Sequence, residues 1–79
     1  MTTKKDTTMN YMTLADEIVI RAAKDYRRAL KILKNHPEND TALRRKYEVE
    51  RFFYSEWFRV LSNLDAEALI TALKKEAEA

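Results

Sequence analysis

Six cationic side chains, Arg21, Lys24, Arg27, Arg28, Lys31 and Lys34, fall within fourteen consecutive residues. Cations at that density can grip phosphates without reading a base sequence. Arg21, Lys24, Arg28 and Lys31 are the candidate nucleic-acid contacts among them. Asp16, Glu17 and Asp25 interrupt the stripe, and the same lysine and arginine stems suit a solvated helix face equally well. The chain carries 15 basic and 13 acidic residues, a net charge of +2. Any basic surface must therefore come from local arrangement rather than overall charge.

The remaining reactive side chains do not combine into a catalytic set. His36 is the one histidine, and there is no cysteine. Zinc needs three or four protein ligands, so a zinc site is not supplied, and disulfides and thiol nucleophiles are excluded. Ser55 and Ser62 lie far along the chain from His36, and no nucleophile, base and oxyanion hole can be assembled. Glu48, Glu50 and Glu56 share a helix but not a face, and the Glu-x-x-His pairs of a di-iron bundle are missing. The chain has no glycine, which disfavours phosphate loops and dinucleotide turns. These residues read as a non-enzyme with no metal, no cofactor and no small-molecule substrate.

Two positions on one helix carry a different kind of chemistry. Glu50 falls within an apolar arc, between Tyr47 and Tyr54. A carboxylate there needs a partner or water. Tyr26, Tyr47, Lys46 or an arginine of the preceding helix could supply the partner, making Glu50 a polar register device. The alternative is a carboxylate at the edge of the core, in water. Phe52 shares its face with Arg45, Glu48, Ser55 and Arg59, the composition of an interface anchor. Arg44, Phe52, Ser55 and Arg59 are therefore the candidate protein-contact residues. A third helix folded over Phe52 would instead make it ordinary core.

The elements that position these residues are helices. Apolar residues Ile18, Val19, Ala22, Tyr26, Ala29, Leu30 and Leu33 recur on one face. With a capping-box spacing at Thr13–Asp16, they predict a first helix from about Leu14 to about Lys34. Residues 35–40 break the pattern: Asn35 suits a left-handed C-cap, and Pro37 cannot continue a helix. Asp40 or Thr41 then caps a second helix over 41–63, with Leu43, Tyr47, Phe53, Tyr54, Trp57, Phe58, Val60 and Leu61 on its apolar arc. Asp65 caps a third helix over about 66–76, whose inward stripe is Leu69, Ile70 and Leu73.

The order Tyr47-Glu48-Val49-Glu50-Arg51-Phe52-Phe53-Tyr54-Ser55-Glu56-Trp57-Phe58, with Leu61, Leu64-Asp65 and Leu69-Ile70 after it, is distinctive. It resembles a group of short uncharacterised proteins from phages and integrated mobile elements of Gram-positive bacteria. The likeness extends to Asp25-Tyr26-Arg27-Arg28-Ala29-Leu30-Lys31 and to Pro37-Glu38-Asn39. That group often carries Asp-Gly-Glu-Tyr after the second helix, where this chain has Asp65-Ala66-Glu67-Ala68. The resemblance implies a phage or mobile-element context and no activity.

The expected fold is all-α: a long antiparallel helical hairpin plus a short C-terminal third helix. Residues 1–12 are expected to form a disordered tail and residues 13–79 a single three-helix domain. A chain of 79 residues builds only a thin core, which favours self-association as a homodimer. The expected function is a small protein-interaction or structural adaptor, cytoplasmic and not membrane-spanning. The alternative is a small regulatory nucleic-acid-binding protein using the basic face of the first helix.

Overall fold

A computed structural model describes residues 3–78, with side chains described from Leu14 onward. It is all-α, with four helices and no strand among the described residues: α1 (Thr3–Asn35), α2 (Asp40–Phe53), α3 (Glu56–Leu61) and α4 (Ala66–Glu78).

Helix α1 begins ten residues before Thr13, so that threonine is interior to the helix and not at its start. The stretch expected to be a tail is helical from Thr3 onward. Neither proline nor glycine lies between Thr3 and Thr13, and extending a helix costs far less than nucleating one. At 1.5 Å per residue its 33 residues span about 50 Å, the longest dimension of the molecule.

The turn after α1 is built without a left-handed residue, because no described residue has positive φ. Asn35 stays helical, the His36 N–H donates to the Ile32 carbonyl at 2.8 Å, and the Asn39 N–H donates to His36 O at 3.0 Å. Asn39, not Asp40 or Thr41, caps α2: its extended backbone aims Oδ1 at the Ala42 N–H, 2.9 Å away. Asp40 thereby falls in the first turn, where the helix dipole favours a carboxylate. Helices α1 and α2 run antiparallel. Asp25 meets Arg45, and Ile18, one end of the α1 face, lines a groove with Phe52 at the far end of α2 and Trp57 of α3.

The single second helix expected over 41–63 is broken at Tyr54–Ser55. Ser55 is extended, with φ −81° and ψ 162°. Its hydroxyl donates to the Phe52 carbonyl at 2.6 Å and accepts from the Phe58 N–H at 3.1 Å, closing one helix and capping the next. The reason lies in the core. Residues five apart on one α-helix point about 140° away from each other. A continuous helix could not bury both Phe53 and Phe58. With the break, both are fully buried and their rings meet edge to face at 5.3 Å.

Every helix contributes to one core. Tyr26 comes from α1, Val49 and Phe53 from α2, Phe58 from α3, and Ile70 and Leu73 from α4. The expected apolar arc is corrected as well, on α2 by its own rotation and beyond Tyr54 by the break. Tyr47, Tyr54, Trp57 and Val60 are exposed, whereas Ala42 and Val49 are buried. Asp65 caps α4 as its spacing predicts, with Oδ1 accepting from the Glu67 N–H at 3.0 Å. Helix α4 lies beside the C-terminal half of α1. Arg27 Nε reaches Glu76 at 2.8 Å, and Lys34 Nζ donates to the Ala77 carbonyl at 3.3 Å.

Candidate functional site

The polar centre of the interface between α1 and α2 is Glu50. The Tyr26 hydroxyl donates to Glu50 Oε2 at 2.5 Å, and Lys46 Nζ sits 3.0 Å from the same oxygen. Lys46 is one helical turn back on α2, and Tyr26 reaches across from α1. Burial alone would raise the Glu50 carboxyl, but the hydrogen bond from Tyr26 and then Lys46 outweigh it. The net effect holds Glu50 below its ordinary 4.5. Burial, and next the hydrogen bond to Glu50, push the Tyr26 hydroxyl well above its ordinary 10.0. The carboxylate is thus held ionised and the phenol neutral. Glu50 is paired and partly buried, not free in water at the core edge.

The four candidate protein-contact residues do not form one face. Phe52 is half-buried and packs against Phe53, Trp57 and Phe58 with ring centroids 5.6 to 5.7 Å apart. Ser55 is occupied as the cap described above. Arg59 lines a groove with Tyr54, Phe58 and Leu64, and Arg44 is exposed on α2. The wheel that grouped them assumed an unbroken helix, and the break rotates everything after Tyr54.

Two surfaces emerge that the wheel did not isolate. The first is apolar and lies on and around α3. Trp57 and Val60, one turn apart, are 55% and 82% exposed. On one side Trp57 lines a shallow groove of about 270 Å³ between α1 and α2 with the apolar Ile18, Ala22, Val49 and Phe52 and the charged Arg21, Asp25, Arg45 and Glu48. On the other side Tyr54 and Leu64, both more than half exposed, line the groove shared with Arg59. Trp57 and Val60 carried a signal in the sequence, but their apolar character pointed inward. Only the extended Ser55 turns them out.

The second surface is a broad groove in which Arg21, Lys24 and Arg28 of α1 and Arg45 of α2 stand among Glu17 and Asp25, alongside Leu14 and Ile20. Three of the four candidate phosphate contacts are thus brought together. Lys31 lines a different groove, with Arg27, Lys34 and Glu76. Arg45 is the cation missed by reading the first helix alone. It is already engaged by Asp25 at 3.5 Å and Glu48 at 3.8 Å. Among the described residues, no three His, Asp or Glu side chains cluster as a metal site requires, and no helix is long and apolar enough to cross a membrane.

Comparison of the chain with protein-family models, with curated proteins and with solved structures gives no match.

Proposed function

We propose that this chain is a small non-catalytic interaction module that docks a protein partner on the apolar surface around α3. The observation that carries the reading is the exposure of Trp57 and Val60 on a six-residue helix beside a ready groove. An aromatic anchor flanked by apolar and charged side chains is the usual make-up of an interface hot spot. Apolar residues set side by side in water cost solvation that a partner relieves. In this reading the α1–α2 hairpin is the platform, and α3 with α4 closes one side of it. The likeness to phage and mobile-element proteins supports an adaptor working in that context, in the cytoplasm of a bacterial host.

The test is capture from an extract of the native host, with the intact chain and with Trp57→Ser/Val60→Asp. Val60 is 82% exposed and Trp57 touches the core through Phe52 alone among the aromatic rings, so a thermal melt by circular dichroism accompanies the capture and checks that the variant is folded. A protein held by the intact chain and lost with the double variant supports the reading. Identical capture profiles remove it.

A second reading rests on the groove that gathers Arg21, Lys24, Arg28 and Arg45. It makes the chain a regulatory nucleic-acid binder. Phosphate-driven affinity for duplex DNA must fall steeply as salt is raised. No binding at low salt excludes it.

A further inference from the structure

We infer that Ser55 is a hinge between two packings of this chain. One is the broken form described above. In the other, less populated, α2 and α3 join into a single helix over residues 40–61 that lays Trp57 and Val60 on α1. The hinge belongs to the chain alone, whether or not a partner docks on α3.

Little more than one torsion angle separates the two backbones. Tyr54 is close to helical, with φ −92° and ψ 3°, and its N–H still donates to the Glu50 carbonyl at 3.1 Å. The Arg59 N–H already donates to the Ser55 carbonyl at 3.4 Å. Only the Ser55 ψ of 162° lies far from the helical value of about −42°. Neither glycine nor proline occurs between Asp40 and Leu61, so no residue there opposes a continuous helix.

The side chains line up for the second form. At about 100° per residue, Ala42, Val49 and Phe53 fall on one stripe of α2, and all three are buried. A straight helix carries that stripe on to Val60, with Trp57 beside it, and both are exposed in the broken form. On α1, Leu14 stands one turn before Ile18, shares a groove with Arg45 of α2, and is more than half exposed. Because α1 and α2 run antiparallel, a longer α2 grows toward Leu14. Trp57 and Ile18 already line one groove.

The exchange is close to balanced. Straightening withdraws Phe58 from Phe53 and covers Trp57, Val60 and Leu14 instead. It gives up the two hydrogen bonds of the Ser55 hydroxyl and gains helical bonds from the N–H groups of Glu56, Trp57 and Phe58. Two packings so matched leave the minor one populated at about 0.1–10%. Residues 62–65 reach about 13 Å when extended, which gives α3 room to swing while the Arg27–Glu76 and Lys34–Ala77 contacts hold α4 to α1. For the docking surface proposed above, the broken form is the open state and the straight form the shut one.

The test is saturation-transfer NMR of backbone amides and Cα carbons on the purified full chain, so its failure leaves the docking reading untouched. A second state is expected at Leu14 and from Tyr54 to Leu61, with a helical Cα shift for Ser55. Ser55→Ala removes the cap of the broken form and should enrich the second state about fivefold. Glu56→Pro should abolish it without lowering the thermal midpoint. Proline suits the first position of α3 behind an extended Ser55, but not the interior of a longer helix. Val60→Asp leaves the broken core untouched and should deplete the second state about tenfold, because it sets a carboxylate against α1. No second state in either the original chain or Ser55→Ala overturns the inference, as does a second state whose Ser55 shift is not helical. Survival of the second state in Glu56→Pro, or at full strength in Val60→Asp, overturns it as well.

Discussion

The Tyr26 hydroxyl and the Glu50 carboxylate, 24 residues apart, meet at 2.5 Å across the interface of α1 and α2. The bond fixes how far one helix can slide past the other, because a shift of a single residue separates the two groups. It also couples packing to ionisation.

Removing the hydroxyl with Tyr26→Phe leaves the ring in the core and Glu50 with Lys46 alone. A hydrogen bond to a charged group contributes about 2 kcal/mol. Urea unfolding should show a loss of that order. A loss indistinguishable from zero would mean water replaces the phenol without cost.

The same pair sets the pH dependence. Glu50 is held below its ordinary 4.5 in the folded chain. Its contribution is present above that value and lost as pH falls through the lower, folded one. Tyr26 is raised above its ordinary 10.0. Its contribution is present below that value and lost as pH climbs through the raised one. Stability should decline at both ends. Glu50→Gln should flatten the acid side, and Tyr26→Phe the alkaline side, in thermal melts followed across pH.

Ser55→Ala removes the side chain that closes α2 and caps α3. Loss of such a cap costs about 1 kcal/mol. The expected outcome is a lower unfolding midpoint with near-native helicity by circular dichroism. A gain in stability with longer helix would show that the break is dictated by Ser55 rather than by Phe53 and Phe58.

Phe58 and Val60 are two residues apart and should respond in opposite ways. Phe58 is fully buried, and Phe58→Ala should cost about 3–5 kcal/mol, enough to unfold a domain of this size. Val60→Ser should stay within about 0.5 kcal/mol, because the side chain is already in water. Chemical denaturation of both variants makes the comparison.

Ala66→Gly addresses the first residue of α4, just after the Asp65 cap. Ala66 opens α4, and no described residue needs positive φ. Glycine there should cost up to about 1 kcal/mol through the unfolded chain and lower helix propensity. A clear gain would mean the turn is strained as it stands.

Much of this architecture could be read from residue order. The inward faces of α1 and α4 follow the 3.6 period, so Tyr26, Ala29, Ile70 and Leu73 fall where the pattern puts them. Pro37 and Asp65 mark turns through their own backbone chemistry. The break at Ser55 was not legible, because serine is tolerated in a helix and the apolar run continues past it. Its cause is a packing demand between Phe53 and Phe58 that local propensity does not express. From that one miss follow the displaced Arg44–Phe52–Ser55–Arg59 face and the unexpected exposure of Trp57 and Val60. The start of α1 was hidden for the opposite reason: threonine-rich sequence reads as weak helix, yet nothing in it stops one. Glu50 was visible as an anomaly, and the wheel could name its possible partners but not choose among them.

The kink at Ser55 also bears on how fast the molecule finds its fold. Phe52, Phe53, Trp57 and Phe58 form a continuous chain of ring contacts drawn from seven consecutive residues. Closing so short a segment costs little loop entropy, whereas Tyr26 and Leu73 must be recruited from far along the chain. The aromatic knot can therefore assemble first and offer a surface on which α1 and α4 condense. Substitutions at Phe58 should slow folding, while substitutions at Leu73 should mainly hasten unfolding.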